Sequence, residues 1–245
     1  MNKTLQLLSL VFVVGVIVLG YWYFGASPNI DRLKESVAPT ASLYPEAKYI
    51  SESLDFIDNQ SKAVHLSEAL KGKWGLLYFG FTSCPDVCPV DLAKISQSYK
   101  TMKNKDRLQV VFISVDPKRD IGNLDSYTQT FDESFIGLTA HNDKLTSISK
   151  ALGVYHQVVE TQQDAQQDHS EHSTDSHDDR DMDSHDSHDK ASNSEMKSMT
   201  KAQYNIDHTT SFLLLSPDLK LTAILTSPHE PKAMAEALDK IIDVL

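Results

Sequence analysis

Residues 74–81 (WGLLYFGF) and 108–115 (LQVVFISV) are short, nearly unbroken apolar runs. Runs of this length with polar flanks read as strands buried on both faces. Between them Val90, Leu92, Ile95, Tyr99 and Met102 recur near helical spacing, which predicts a helix over 89–102. Leu124–Phe131 and Asp143–Leu152 read as further helices, and Val154–Val159 as a strand. Ser211–Leu215 and Leu219–Leu225 flank the turn Ser216-Pro217-Asp218, a hairpin signal. Pro231–Leu245 reads as an amphipathic helix with proline near its start. The pattern is α/β.

Two segments depart from it. No residue from Thr4 to Ile30 is charged, and Leu5 to Phe24 holds only Gln6 and Ser9 as clearly polar members. About 20 apolar residues span the hydrocarbon core of a bilayer. Tyr21, Trp22, Tyr23 and Phe24 match an interfacial aromatic belt. Residues 1–24 are therefore expected to be a transmembrane anchor. A cleaved signal peptide fits less well, because Phe24 stands where a small residue should precede a cut after Ala26. A short head before a large trailing domain reads as an exported domain. The expected location is the bacterial inner membrane, with the domain in the periplasm. Residues 25–47 read as a polar tether and 48–245 as one domain.

The second departure is 161–199, inserted between two strand patterns. It holds 11 acidic and 3 basic residues and no aromatic or β-branched aliphatic side chain. Such a segment cannot bury apolar surface and is expected to be disordered. It carries a net −8 of the chain's −11. That acidic balance argues against sequence-independent nucleic-acid binding, which needs phosphate-neutralising Lys and Arg.

The 245-residue chain has two cysteines, too few for a disulfide-dense scaffold or a four-cysteine zinc site. They stand in Cys84-Pro85-Asp86-Val87-Cys88-Pro89, directly after the first predicted strand. Four residues apart on a helix, both sulfurs lie on one face. A helix N-terminus lowers a thiol pKa and favours the thiolate, which is both nucleophile and metal ligand. Three readings remain open: a structural disulfide, a redox pair, or two thiolates on a metal. A disulfide closing so short a loop would stabilise little. A third ligand for a metal could be His208, in Ile206-Asp207-His208-Thr209-Thr210; His65, His141, His156 and His229 are alternatives by spacing alone. Two thiolates and an imidazole suit copper in either oxidation state, and also zinc.

The stretch Tyr78-Phe79-Gly80-Phe81-Thr82-Ser83-Cys84-Pro85-Asp86-Val87-Cys88-Pro89 resembles the signature of the Sco/SenC family. Ile113-Ser114-Val115-Asp116-Pro117-Lys118-Arg119-Asp120 and Asp207-His208-Thr209-Thr210 agree with it, in the same order. That family comprises membrane-anchored, thioredoxin-like copper-binding proteins of cytochrome c oxidase assembly. The resemblance implies a thioredoxin-like domain, with Cys84, Cys88 and His208 as ligands of one copper, Cu(I) or Cu(II). It implies as partners the copper-binding subunit of the oxidase and a protein that donates copper or reduces thiols. Two departures stand out: Ser83 where the family often has His, and Ile121-Gly122 where Thr-Pro is frequent. Asp116 and Arg119 match family positions and read as structural or docking residues. Asp86 reads equally as a partner-steering charge or as a helix cap.

Five of the ten histidines, His169, His172, His177, His185 and His188, lie in the 161–199 insertion with Met182, Met196 and Met199. His-rich tracts bind metal and thioethers favour Cu(I), so the insertion reads as an accessory metal-collecting loop. Two functions compete. One is a copper metallochaperone, which is not an enzyme. The other is a membrane-anchored thiol-disulfide oxidoreductase that reduces the cysteines of a copper-site target. The usual motif of the latter is Cys-x-x-Cys, one residue shorter. A thiol peroxidase would need a lone activated cysteine, whereas both are locally paired here.

Overall fold

The structure, a computed structural model, describes residues 10–20, 30–50, 52–160, 204–208 and 210–245, with backbone alone over 156–160 and 204–208. The chain divides into two compact units, 158–206 and the remainder. In chain order the elements begin with α1 (10–20), α2 (Ile30–Val37), β1 (Ala41–Lys48), β2 (Asp55–Ile57), β3 (Ala63–His65) and α3 (Leu66–Leu70). Then come β4 (Trp74–Gly80), α4 (Val87–Thr101), β5 (Leu108–Ser114), α5 (Pro117–Asp120), α6 (Leu124–Gln129), β6 (Ile136–Leu138) and α7 (Asn142–Leu152). Last are β7 (His156–Glu160), β8 (Tyr204–His208), β9 (Phe212–Leu215), β10 (Leu221–Leu225) and α8 (Pro231–Val244).

The main sheet has the order β1-β10-β9-β4-β5-β6. The two apolar runs are its centre: β4 and β5 pair in parallel from Trp74↔Leu108 to Gly80↔Ser114. Every residue of β4 is buried, as its continuous apolar pattern requires of a strand covered on both faces. β9 runs antiparallel to β4 and β10 antiparallel to β9, so the predicted hairpin is present. Its turn is closed by Ser216 N–H donating to the Lys220 carbonyl at 2.9 Å. α4, the crossover from β4 to β5, buries Cys88, Leu92 and Ile95 and packs against α8. α8 presents Met234, Leu238, Ile241 and Ile242 to the core. β7 and β8 form a separate two-stranded sheet. This is the mixed sheet of a thioredoxin-like domain.

The stretch 25–47, read as a tether, does not behave as one over 30–47. α2 buries Leu33 and Val37 and packs on α8, while β1 joins the sheet edge through Ala41↔Leu225. Pro45 coincides with a register break in β1, tolerated because an edge strand needs only one partner. Among the described residues no helix is long and apolar enough to cross a membrane. The predicted span 5–24 is described only over 10–20, which is helical. The insertion 161–199, with its candidate metal residues, lies outside the described residues.

Candidate metal site at the start of helix α4

β4 delivers the chain to a turn in which Cys84 N–H donates to the Phe81 carbonyl at 3.2 Å. α4 begins three residues later. Asp86 occupies its N-cap position, yet its exposed side chain makes no cap bond. The sulfur of Cys84 takes that role: it accepts the Cys88 N–H at 3.3 Å. A helix N-terminus thus points an otherwise orphaned donor at Cys84 Sγ, which favours negative charge on that sulfur. Neither cysteine is in a disulfide. Cys84 is half-buried and reachable, whereas Cys88 is fully buried.

The two thiols are inequivalent. The hydrogen bond to the Cys84 sulfur, and then burial, push the Cys88 thiol well above the ordinary thiol range. Tyr78 stands behind Cys88, its hydroxyl between that sulfur and Asp91, to which it donates at 3.3 Å. Burial first, and then the neighbouring Cys88 and Asp91, hold the Tyr78 hydroxyl protonated. Metal-free, the pair is therefore one accessible sulfur poised for charge beside one buried sulfur that keeps its proton. Soft donors of this kind, one reachable and one enclosed, fit a thiophilic ion entering from the Cys84 side.

The approach loop is pinned from below. Asp120, fully buried, accepts from Thr82 N–H at 2.9 Å, Thr82 Oγ1 at 2.6 Å and Ser114 Oγ at 2.6 Å. Asp116 is paired with Arg119, whose guanidinium lies 5.7 Å over the Phe81 ring. Both support the loop from within, which favours the structural reading of the two residues.

Topology places His208 at the same end of the sheet. β9 is antiparallel to β4, so the start of β9 lies beside the end of β4, where the cysteine loop leaves. His208 ends β8, four residues before Phe212 opens β9. Its side chain lies outside the description, as does that of His156. Three other histidines have described side chains. His65 accepts the Ser67 N–H at 3.3 Å as the N-cap of α3. His141 takes the N-cap position of α7 without a cap bond. His229 is buried, stacked on Phe212. Among the described residues no group of three or more His, Cys, Asp and Glu side chains is gathered to hold a metal.

From sequence, Tyr78, Gly80 and Asp120 stand only as members of the signature stretches, without a role of their own, and Asp91 does not stand out at all. Asp91 is three residues beyond Cys88 on one helix face, a spacing that signals contact. A glycine inside a buried apolar strand signals close approach, and Cys88 Sγ supplies it at Gly80. Asp120 closes a signature stretch, but nothing local shows its contact with Thr82, 38 residues away.

The SCO1/SenC family profile matches residues 44–177, more than half of the chain. The chain belongs to the SCO1/SenC family. The matched segment includes both cysteines and ends before His208. A Stutzerimonas stutzeri protein described as a candidate copper-binding protein is 36% identical over 132 residues, 52% of this chain and 64% of that one. The chain thus spans slightly less than two thirds of that relative. An SCO2-like protein of Rickettsia prowazekii is 34% identical over 147 residues, 58% of this chain and 71% of that one. The crystal structure of Arabidopsis thaliana ScoI with copper bound is 25% identical, with a TM-score of 0.58, covering 80% of this chain and 99% of that one.

Proposed function

We propose that this SCO1/SenC protein is a copper metallochaperone, and that copper is its cargo. Cys84, Cys88 and His208 hold one ion. The observation that carries the reading is the pair of reduced cysteines at the α4 N-terminus, one half-exposed and one enclosed. Loading removes the proton that Cys88 keeps in the metal-free protein. Three protein ligands leave a position for an incoming donor, so the ion passes on by ligand exchange. The recipient is the copper-binding subunit of cytochrome c oxidase, by family resemblance, and a thiol-reducing or copper-donating protein acts upstream.

The N-terminal segment tethers the protein to the bacterial inner membrane with the domain in the periplasm. What supports this is the uncharged stretch 4–30 and the exposed apolar side chains of α1, Leu10, Phe12, Ile17 and Leu19 among them. The insertion collects metal through His169, His172, His177, Met182, His185 and His188 and feeds the main site, since a short tether keeps its local concentration high.

Copper titration of the full chain in detergent, with bound metal counted by mass spectrometry, tests the reading. One tightly held copper, lost in Cys84→Ser and in His208→Ala, supports it. No tight copper, with the cysteines still cycling between dithiol and disulfide, would instead make the protein a thiol-disulfide oxidoreductase. The half-exposed Cys84 sulfur at a helix N-terminus equally suits that chemistry.

A further inference from the structure

His229 belongs to none of the three motifs, yet it joins the two halves of the proposed site. Its Nε2 lies 2.9 Å from the Thr210 carbonyl. A carbonyl only accepts, so Nε2 carries the proton and donates. Nδ1 is buried and without a partner among the described residues. The ring stacks on Phe212 with centroids 3.8 Å apart and planes 22° apart. Phe212 in turn meets Tyr78 edge-on at 5.2 Å, and the Tyr78 hydroxyl reaches the Cys88 sulfur. A continuous column therefore runs from Cys88 through Tyr78 and Phe212 to His229.

The far end of that column holds the segment that carries His208. β8 ends at His208 and β9 begins at Phe212, with Thr210 and Ser211 described ahead of β9 and outside any strand. Thr210 stands two residues past His208, and His229 grips its carbonyl. The loop bearing His229 follows β10, whose Leu225 pairs with Phe212, so it lies at the same end of the sheet. Outer groups that fix the backbone beside a ligand pre-organise a metal site, and their loss typically costs 10–100-fold in metal affinity.

We infer that His229 is a positioning residue for the copper site, holding the His208 segment at a fixed distance from Cys88 through its Nε2–H bond to Thr210. The inference rests on the ligation by His208 proposed above. His229→Gln and His229→Met both remove the ring, but only Gln keeps a donor near the Nε2 position. Their difference isolates the hydrogen bond from the stacking.

Copper retention against a competing chelator and the Cu(II) spectrum of the full chain would be measured for the wild type, both variants and His208→Ala. The expected result is roughly 10-fold weaker retention and an altered spectrum in His229→Met, with His229→Gln close to wild type. Wild-type retention and spectrum in His229→Met would overturn the inference, as would equal losses in both variants. Wild-type protein that binds copper while His208→Ala binds it equally well would instead overturn the ligand reading, and the inference with it. Imidazole nitrogen NMR of the unmutated, metal-free protein provides a check that needs no variant to fold. An Nε2–H tautomer for His229 is expected, and an Nδ1–H tautomer would sink the proposal.

Discussion

Cys88 lays its sulfur against the bare side of Gly80: a Cβ on Gly80 would stand 2.9 Å from Cys88 Sγ. The same Cβ would stand 2.9 Å from Phe112 Cε2, on a ring that is itself fully buried. Neither neighbour is the far end of a flexible exposed chain, so one of them must move. Gly80→Ala is expected to cost about 1–3 kcal/mol, the usual range for overfilling a packed core. It should also weaken copper retention, because the atom most easily displaced is a proposed ligand. Denaturant unfolding and chelator competition read the two effects separately. Unchanged retention beside lowered stability would show that Phe112 yields and Cys88 does not.

Asp120 ties the cysteine loop to the end of β5 through three donors, two from Thr82 and one from Ser114. In Asp120→Asn the charge is lost, and the amide NH2 is matched only if it faces the Thr82 hydroxyl, which must then turn from donor to acceptor. Replacing charge-assisted hydrogen bonds to a buried carboxylate by neutral ones costs about 1–3 kcal/mol. Thermal unfolding is expected to shift accordingly. Hydrogen exchange should rise at Thr82 and at Cys84, whose N–H bond to the Phe81 carbonyl depends on the same loop geometry. A variant as stable as wild type would mean that the three bonds are not made in solution.

Removing residues 161–199 tests the proposed accessory role of the insertion apart from the proposed copper site. The affinity of the site should stay within about 2-fold, since its three proposed ligands lie outside the deletion, whereas the total metal bound at excess copper should fall. Mass spectrometry across a copper titration gives both numbers. A loss of 10-fold or more in affinity would mean that the insertion contributes a ligand to the main site.

How far these features could be read beforehand follows from how local they are. β4 and β5 were legible because strands covered on both faces leave long apolar runs, and the cysteine pair because its spacing is one helical turn. α2 was not, since Leu33 and Val37 are its two buried anchors and, Ile30 apart, its other residues are polar. β2, β3 and β6 have three residues each, too few to set a period. The walls of the site escaped for a different reason. Tyr78, Gly80 and Phe112 look like ordinary core residues, and only the pairing of β4 with β5 and α4 brings them to Cys88. His229 was legible as one of several histidines, but its grip on Thr210 depends on the β9–β10 pairing.

The inequivalence of the thiols sets the pH dependence of the reduced, metal-free protein. Cys88 holds its proton more tightly when folded than when unfolded, where a thiol titrates near about 8.5. Below that pH both states are protonated and this contribution to stability is complete. Above it the unfolded chain loses a proton that the folded chain keeps. Stability therefore falls as pH rises, by about 1.4 kcal/mol per pH unit for one proton. Tyr78 adds a loss of the same sign only above about 10, so pH 8.5–10 isolates the cysteine. Denaturant unfolding under reducing conditions across that window should show the slope in wild type and a flatter profile in Cys88→Ser. A Cys88→Ser profile as steep as wild type would place the titrating group elsewhere and remove the case for a buried, protonated Cys88.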